Sequence, residues 1–335
     1  MIRNFVWFSR FCEGLCLSLL FVDVGGCLRV LVTGGAGFIG SHTVDRLLAE
    51  GFEVIVLDNL RSGSVDNIRR HVGCKGLHFV RGDIRDVELV RSLMGDVDCV
   101  VHLAALVSVP ESFKDPALTF DINVNGTLNL LRACVDFNVD RFVYASSCAV
   151  YGNAEKLPIE EDAPAKPLSP YGVSKLEAER HVLRFCQEFG LETVCLRYFN
   201  VYGPRQASSE YSGVIAQFLN RIKNDKPLVI FGDGEQTRDY VYVEDVAEAN
   251  LLALKGSGVA GEIFNIGTGV ATSVNRLASI LLKFANKEHL KIQYCEAREG
   301  DVRHSVADIS KAKEKLGYDP KISLENGLRR LLFED

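Results

Sequence analysis

The sequence predicts an α/β protein, a doubly wound parallel sheet that carries a smaller mixed α/β cap. Three observations predict it. From Leu28 onward, short apolar runs alternate with segments of helical period. The first run ends in a glycine-rich turn, and the second ends in a carboxylate. The 335 residues, 47% hydrophobic and 24% charged, suit one large unit or two domains and exclude disorder, collagen and coiled coil.

The elements follow in chain order. Residues 1–27 stand apart from the rest: Arg3 and Arg10 precede an apolar run from Leu15 to Val22, closed by Asp23. That run is too short to span a bilayer. Basic and apolar parts of this kind make a weak secretory or lipoprotein leader, but Glu13 and Asp23 interrupt them. The preferred reading is a dispensable extension, with the natural start near Val24 or Leu28. Buried parallel strands are expected at Arg29–Thr33, Glu53–Asp58, Leu77–Arg81, Val97–His102, Arg141–Ser146 and Thr193–Arg197. Crossover helices between them complete the double winding. After Tyr198 the pattern loosens. A short basic helix is expected over Ile215–Lys223. Tyr240–Val243 and Ile263–Ile266 are expected to return to the sheet, flanking a helix opened by Asp245. Helices near Ser273–Phe284 and Ser310–Leu316 finish the cap. The expected domains are 28–200 with about 236–268 for the sheet, and about 201–235 with 269–335 for the cap.

The formal net charge of -6 argues against a dedicated nucleic-acid binder. The ten cysteines form no CxxC, and the histidines do not group with them, so neither a zinc site nor a disulfide framework is expected. Free thiols suit a reducing cytoplasm. No metal and no membrane partner is expected.

The strongest local signal runs from Val30 through Gly34, Gly37 and Gly40. Gly34 permits the tight turn, Gly37 lets backbone N–H groups approach a pyrophosphate, and Gly40 allows close helix–strand packing. Asp58, ending the next strand, accepts from adenosine ribose hydroxyls and repels a 2′-phosphate, which favours NAD over NADP. Arg61 is read as a solvated loop charge. In Gly82-Asp83-Ile84, a carboxylate stands where the adenine amino group would lie. In His102-Leu103-Ala104-Ala105, small residues let the backbone pass the dinucleotide.

A second constellation carries chemistry. Ser169 as N-cap, Pro170 at the first helical position and Gly190 at the end delimit a helix. Tyr171 and Lys175 share one face of it. A free phenol titrates at about 10. An ammonium one turn away, with a nicotinamide cation, would favour the phenolate. Ser146-Ser147 closes the fifth strand, where a hydroxyl can relay a proton to the tyrosine.

TGGAGFIG at 33–40, DNLRSG at 58–63, GDI at 82–84, SS at 146–147, YGVSK at 171–175 and RYFNVYGPR at 197–205 together resemble the extended short-chain dehydrogenase/reductase family. The sequence is most similar to its UDP-glucose (UDP-galactose) 4-epimerase branch, over about residues 28–335. The resemblance implies a Rossmann-like fold and NAD as a retained cofactor. It also implies a catalytic set of Ser147, Tyr171 and Lys175, with Lys175 also on the nicotinamide ribose. Its cofactor set is Gly34, Gly37, Phe38, Ile39, Gly40, Asp58, Asn59, Ser62, Gly63, Asp83, Ile84, Leu103, Ala104, Ala105, Asn123, Ser146 and Phe199, together with Tyr171 and Lys175; Asn123 also positions the active-site helix. The substrate set it implies is Ser108, Asn200, Phe231, Arg238, Arg298, Asp301 and Ser305 beside Ser147 and Tyr171, with the two arginines on the diphosphate of UDP and Phe231 on its pyrimidine. The implied reaction inverts C4 of a UDP-hexose through a transient 4-keto sugar.

Related dehydratases and decarboxylases place acids directly after the strand-five hydroxyl; here those positions hold Cys148 and Ala149, which favours epimerisation. Ser305 stands where some epimerases have a bulky tyrosine, and leaves room for an N-acetyl group. UDP-GlcNAc/UDP-GalNAc is therefore expected beside UDP-glucose/UDP-galactose. The alternatives are a UDP-glucuronate epimerase or decarboxylase, another nucleotide-sugar enzyme of the family, and a non-catalytic dinucleotide sensor. A homodimer is implied, through a four-helix interface of helices near Pro116–Phe137 and Tyr171–Phe189. Leu176, Val182 and Phe185 suit either that interface or the core.

Overall fold

The structure is a computed structural model that describes residues 28–206, 213–297 and 302–333. Residues 1–27 lie outside it, and with them the expectation of a dispensable extension. The strands are β1 (Arg29–Thr33), β2 (Glu53–Asp58), β3 (Leu77–Arg81), β4 (Cys99–His102), β5 (Arg141–Ser147), β6 (Glu192–Tyr198), β7 (Asn200–Tyr202), β8 (Leu228–Phe231), β9 (Thr237–Tyr242), β10 (Glu262–Ile266), β11 (Ala271–Ser273), β12 (Ile292–Cys295) and β13 (His304–Ser305). The helices are α1 (Phe38–Ala49), α2 (Val87–Leu93), α3 (Val109–Lys114), α4 (Pro116–Phe120), α5 (Gly126–Asp136), α6 (Pro170–Phe189), α7 (Val214–Lys223), α8 (Val243–Lys255), α9 (Val274–Phe284), α10 (Ser310–Leu316) and α11 (Leu324–Phe333).

Seven parallel strands form the main sheet in the order β3-β2-β1-β4-β5-β6-β10. Side chains alternate across each strand, so one apolar run supplies both faces. Val30, Val32, Val54 and Val56 pack with Val44, Leu47, Val246 and Leu251 of α1 and α8. Leu31, Ile55, Phe142 and Tyr144 face Leu130, Leu131, Ala178 and Val182 of α5 and α6. The chain order reverses between β1 and β4, where Thr33 pairs with His102. A crevice opens at the carboxyl ends of strands at such a switch point.

The cap has a four-stranded sheet of β7, β9, β11 and β13 and a parallel pair, β8 and β12. Ile215, Phe218, Leu277, Leu281 and Leu328 of α7, α9 and α11 pack with Leu228 and Ile230. The expected return of Tyr240–Val243 to the main sheet is corrected here. β9 pairs with β7, β11 and β13, and β10 alone takes the edge beside β6. Both runs are apolar, and only the pairing register separates them. α8 also starts at Val243, before Asp245. The Asp245 carboxylate instead accepts from the backbone N–H groups of Lys321 and Ile322, tying the approach to α11 onto α8. Among the described residues no helix is long and apolar enough to cross a membrane.

Candidate active site

The glycine-rich turn is shaped by backbone contact. Gly34 has φ +70°, and a Cβ there would stand 2.8 Å from the Ala104 nitrogen. A Cβ on Gly40 would stand 2.0 Å from the Gly34 oxygen, so only glycine lets α1 sit on the turn. Gly37 caps α1 with no side-chain bond to its first-turn amides, leaving that terminus open to an anion. Phe38 and Ile39, half-buried, open the helix. Gly63 lies so close to Ala36 that a Cβ would meet it at 2.9 Å. Asn59 and Ser62 stand exposed beside this turn.

Asp58 is buried, and burial raises its pKa. Its carboxylate accepts from Ala36 N–H at 3.0 Å and Leu60 N–H at 2.8 Å. It therefore braces the turn as well as closing β2. Arg61 pairs with Glu111, so the solvated charge expected there has a partner. Leu103, Ala104 and Ala105 run half-buried from β4 along the switch-point crevice. Glycines that tolerate no Cβ, an uncapped helix terminus and a buried carboxylate together fit a dinucleotide.

Several expected cofactor contacts are otherwise engaged. The Asp83 carboxylate is held by Arg85 and by Asn59 at 3.0 Å, which pull it well below the usual carboxylate range. Ile84 is a core side chain packed against Gly126. Ser146 turns inward and donates to Glu179 at 2.6 Å. Phe199 is buried beside Tyr151. Asn123 is also buried: its carbonyl accepts from Leu106 N–H, and its amide donates to Leu106 oxygen and to Ser174 at 2.9 Å. These bonds fix Asn123 between the Leu106 backbone and α6.

Sequence reasoning missed a polar chain beneath the crevice. His102 bonds Thr33 at 2.7 Å and Thr127 at 2.8 Å, and Thr127 donates to Asn123 oxygen. Thr127 has spent its proton, so His102 Nε2 donates to it and Nδ1 accepts from Thr33. Burial drops the imidazole to about 3, so it stays neutral. Ala104 N–H bonds Thr33, and Ser174 donates to Tyr171 oxygen. A continuous chain thus joins the crevice loop to the first turn of α6. Buried Thr33, His102, Asn123 and Thr127 within apolar segments were its one signal in the sequence. Asn123 lies in a π-helical turn, Asp121–Asn125, that no residue pattern announced.

At α6, Ser169 accepts from Gly172 N–H at 3.1 Å and Pro170 occupies the first turn. Tyr171 is half-buried. Burial pushes the phenol up to about 12, against the Ser147 hydroxyl, which acts to lower it. Lys175 is 4% exposed, lies over the Tyr144 ring at 4.5 Å, and is lowered by burial to about 7. The expectation of a phenol acidified by its lysine neighbour is therefore corrected for the free protein. Burial drives both groups toward neutrality, and the lysine charge is spent against Tyr144.

Two of the residues expected on the substrate side, Ser305 and Arg238, act on Cys148. Burial pushes its thiol up to about 11, against the opposing pull of Ser305 of β13 and of the Arg238 charge. Ser305 is buried and lies in register with Arg238 of β9. Asn200 opens β7 with its side-chain oxygen buried and unpartnered. Phe231 ends β8, half-buried, and Ser108 caps α3 by accepting from Glu111 N–H. Arg298 and Asp301 lie outside the described residues.

Residues 30–267 match the NAD dependent epimerase/dehydratase family. A putative UDP-glucose 4-epimerase of Methanocaldococcus jannaschii is 45% identical over 305 residues, 90% of this chain and 97% of that protein. Among solved structures, a UDP-glucose 4-epimerase of Thermotoga maritima with UDP-glucose aligns at TM-score 0.86 and 43% identity, over 90% of this chain and 96% of that one. A UDP-N-acetylglucosamine 4-epimerase of Methanobrevibacter ruminantium M1, in complex with UDP-N-acetylmuramic acid, aligns at TM-score 0.86 and 37% identity, over the same shares.

Proposed function

The chain belongs to the NAD-dependent epimerase/dehydratase family, and on that premise we propose that it inverts C4 of a UDP-hexose. It is an isomerase, and its cofactor is NAD, held by the Gly34–Gly40 turn, Asp58 and the Leu103–Ala105 loop. NAD, when bound, supplies a reversible hydride acceptor for the sugar C4.

The chain's own residues handle the proton. Tyr171 takes it from the sugar 4-OH with Ser147 as relay, and gives it back to the inverted product. In the free protein the phenol is held too high to act as a base near neutrality. The site is therefore poised to respond to positive charge arriving with the cofactor. Lys175 anchors the nicotinamide ribose and adds its own charge. Arg238 holds the diphosphate, and the Asn200 side-chain amide donates its N–H to the same phosphates.

One observation carries the choice of reaction. The position beside Ser147 that an elimination or decarboxylation acid would fill holds Cys148, a thiol kept neutral by burial. No proton donor suited to a leaving hydroxyl stands there. Ser305 stands where some related epimerases carry a bulky tyrosine, and its small side chain supports UDP-GlcNAc/UDP-GalNAc beside UDP-glucose/UDP-galactose as a substrate pair. Separate incubation with UDP-glucose, UDP-GlcNAc and UDP-glucuronate, with products resolved at C4, tests this. Epimer pairs from the first two support it; CO2 from UDP-glucuronate or stoichiometric NADH would replace it with a decarboxylase or dehydrogenase.

The protein acts in the cytoplasm, in galactose metabolism, as a homodimer. Leu176 and Val182 are core, so the dimer face takes its apolar surface from exposed Val109, Phe113, Val173 and Phe189 on α3 and α6. Sedimentation velocity reads the oligomeric state, and a concentration-independent monomer removes the dimer.

A further inference from the structure

Three residues expected on the substrate side come together on the four-stranded sheet of the cap. Asn200 of β7 stands in register with Tyr240 of β9, and Ser305 of β13 with Arg238 of β9. Side chains alternate across a strand, and partners in register share a face. Asn200, Arg238 and Ser305 therefore stand on one face of the sheet. Asp239, between Arg238 and Tyr240, points to the other.

Asp239 is fully buried, and donors from two other segments fill its carboxylate. One oxygen accepts from the Thr268 N–H at 2.8 Å and the Thr268 hydroxyl at 2.6 Å. The other accepts from the Gly269 N–H at 2.9 Å and the Ala307 N–H at 3.2 Å. Three of these donors are backbone N–H groups, which can only donate, so the site needs an acceptor on both sides, as a carboxylate provides. The packing leaves no slack: a Cβ on Gly267 would stand 2.6 Å from the second oxygen and 2.9 Å from the Ala307 Cβ.

These bonds join segments that carry the substrate side. Residues 267–270 connect β10, at the edge of the main sheet, to β11 of the cap. Ala307 lies two residues beyond Ser305. The chain there is held from its other edge by Ile159, whose N–H donates to the Val306 oxygen and whose oxygen accepts from the Asp308 N–H. The Ala307 N–H is left to Asp239.

We propose that Asp239 is a positioning residue for the nucleotide-sugar, its carboxylate pinning the Thr268–Gly269 turn and the strand of Ser305 to β9 so that Arg238 and Ser305 keep the register in which they meet one ligand. The ligand named here rests on the UDP-sugar reading of the site. Ser147, Tyr171 and Lys175 stand on β5 and α6, which none of the four bonds reaches. Asp239 therefore serves the holding of substrate and not the proton transfer.

The test compares Asp239→Asn, which offers one oxygen to two pairs of donors, with Asp239→Ala, which offers none. An amide nitrogen is best tolerated opposite Thr268, whose hydroxyl can turn to accept from it, so the asparagine strands the Thr268 N–H. Hydrogen exchange of the ligand-free proteins, read by mass spectrometry, should lose protection at residues 267–269 in both variants, and at 304–308 in Asp239→Ala. UDP, titrated by calorimetry, should bind Asp239→Asn roughly 10-fold more weakly than wild type, the worth of one hydrogen bond to a charged group, and Asp239→Ala more weakly still. NAD content should be unchanged. KM for UDP-glucose should rise alike, while kcat falls by at most about threefold. An unmoved UDP affinity in folded Asp239→Asn, whatever its melting temperature, overturns the proposal and leaves Asp239 as a structural support. Wild-type protein that binds no UDP would sink the UDP-sugar reading instead. The exchange data then decide the positioning, unchanged protection in both variants overturning it and lost protection sparing it.

Discussion

Replacing Asn123 with alanine should damage both stability and turnover, and the two losses can be separated. The substitution removes three hydrogen bonds, two to the Leu106 backbone and one to Ser174. Leu106 is buried, so its N–H and C=O lose their partner without gaining bulk water. An unsatisfied buried polar group costs about 1–3 kcal/mol, and one water entering the vacated space recovers part of that. The net loss should be about 2–4 kcal/mol in urea unfolding, read as a lower midpoint at unchanged slope. The effect on turnover follows from the Ser174 bond. Ser174 donates to the Tyr171 carbonyl at 2.8 Å, so Asn123 fixes the first turn of α6, where the phenol is aimed at Ser147. Loosening that turn should lower kcat roughly 10²-fold with little change in KM, because misplacement of a reacting group by about an ångström costs this much. A variant that loses the stability but keeps wild-type kcat would refute the positioning reasoning. One that loses neither would refute the hydrogen-bond accounting too.

Tyr171→Phe should lower kcat by roughly 10²–10⁴-fold in a folded protein of unchanged circular dichroism, and intact turnover would remove the proton-transfer assignment. Lys175→Met should inactivate the enzyme yet stabilise it. The folded pKa of Lys175 is about 7 against an ordinary 10.5, so the penalty for burying the lysine is fully present below pH 7 and disappears as pH rises toward 10.5. Urea melts should therefore show the variant ahead by about 2 kcal/mol or more at neutrality, with the gain shrinking toward alkaline pH; a gain that grows with pH would contradict the burial. Ser305→Tyr should lose UDP-GlcNAc/UDP-GalNAc epimerisation by roughly 10²-fold while retaining UDP-glucose/UDP-galactose, since a bulky side chain rejects by steric overlap. Equal losses on both pairs, compared as kcat/KM, would dismiss Ser305 as the discriminating position.

The sheet could be read from the chain because its physics is local. Short β-branched runs separated by helical periodicity have few ways to bury both faces, and the glycines at Gly34, Gly37 and Gly40 answer to backbone contacts within one turn. The placement of the proposed trio was legible for the same reason: Tyr171 and Lys175 share a helix face, and Ser147 ends a strand. Tertiary structure alone decided where β9 pairs, because an apolar run does not encode its neighbour. It also decided the electrostatics. Burial, which no residue pattern states, lifts the Tyr171 phenol and lowers the Lys175 amine instead of acidifying one with the other. The His102 chain and the Asp239 cluster belong to this class as well, each joining residues from three or more segments far apart in sequence. Sequence determined which chemical groups the site has; the fold determined which of them carry charge, because desolvation depends on everything packed around a group and not on its neighbours along the chain.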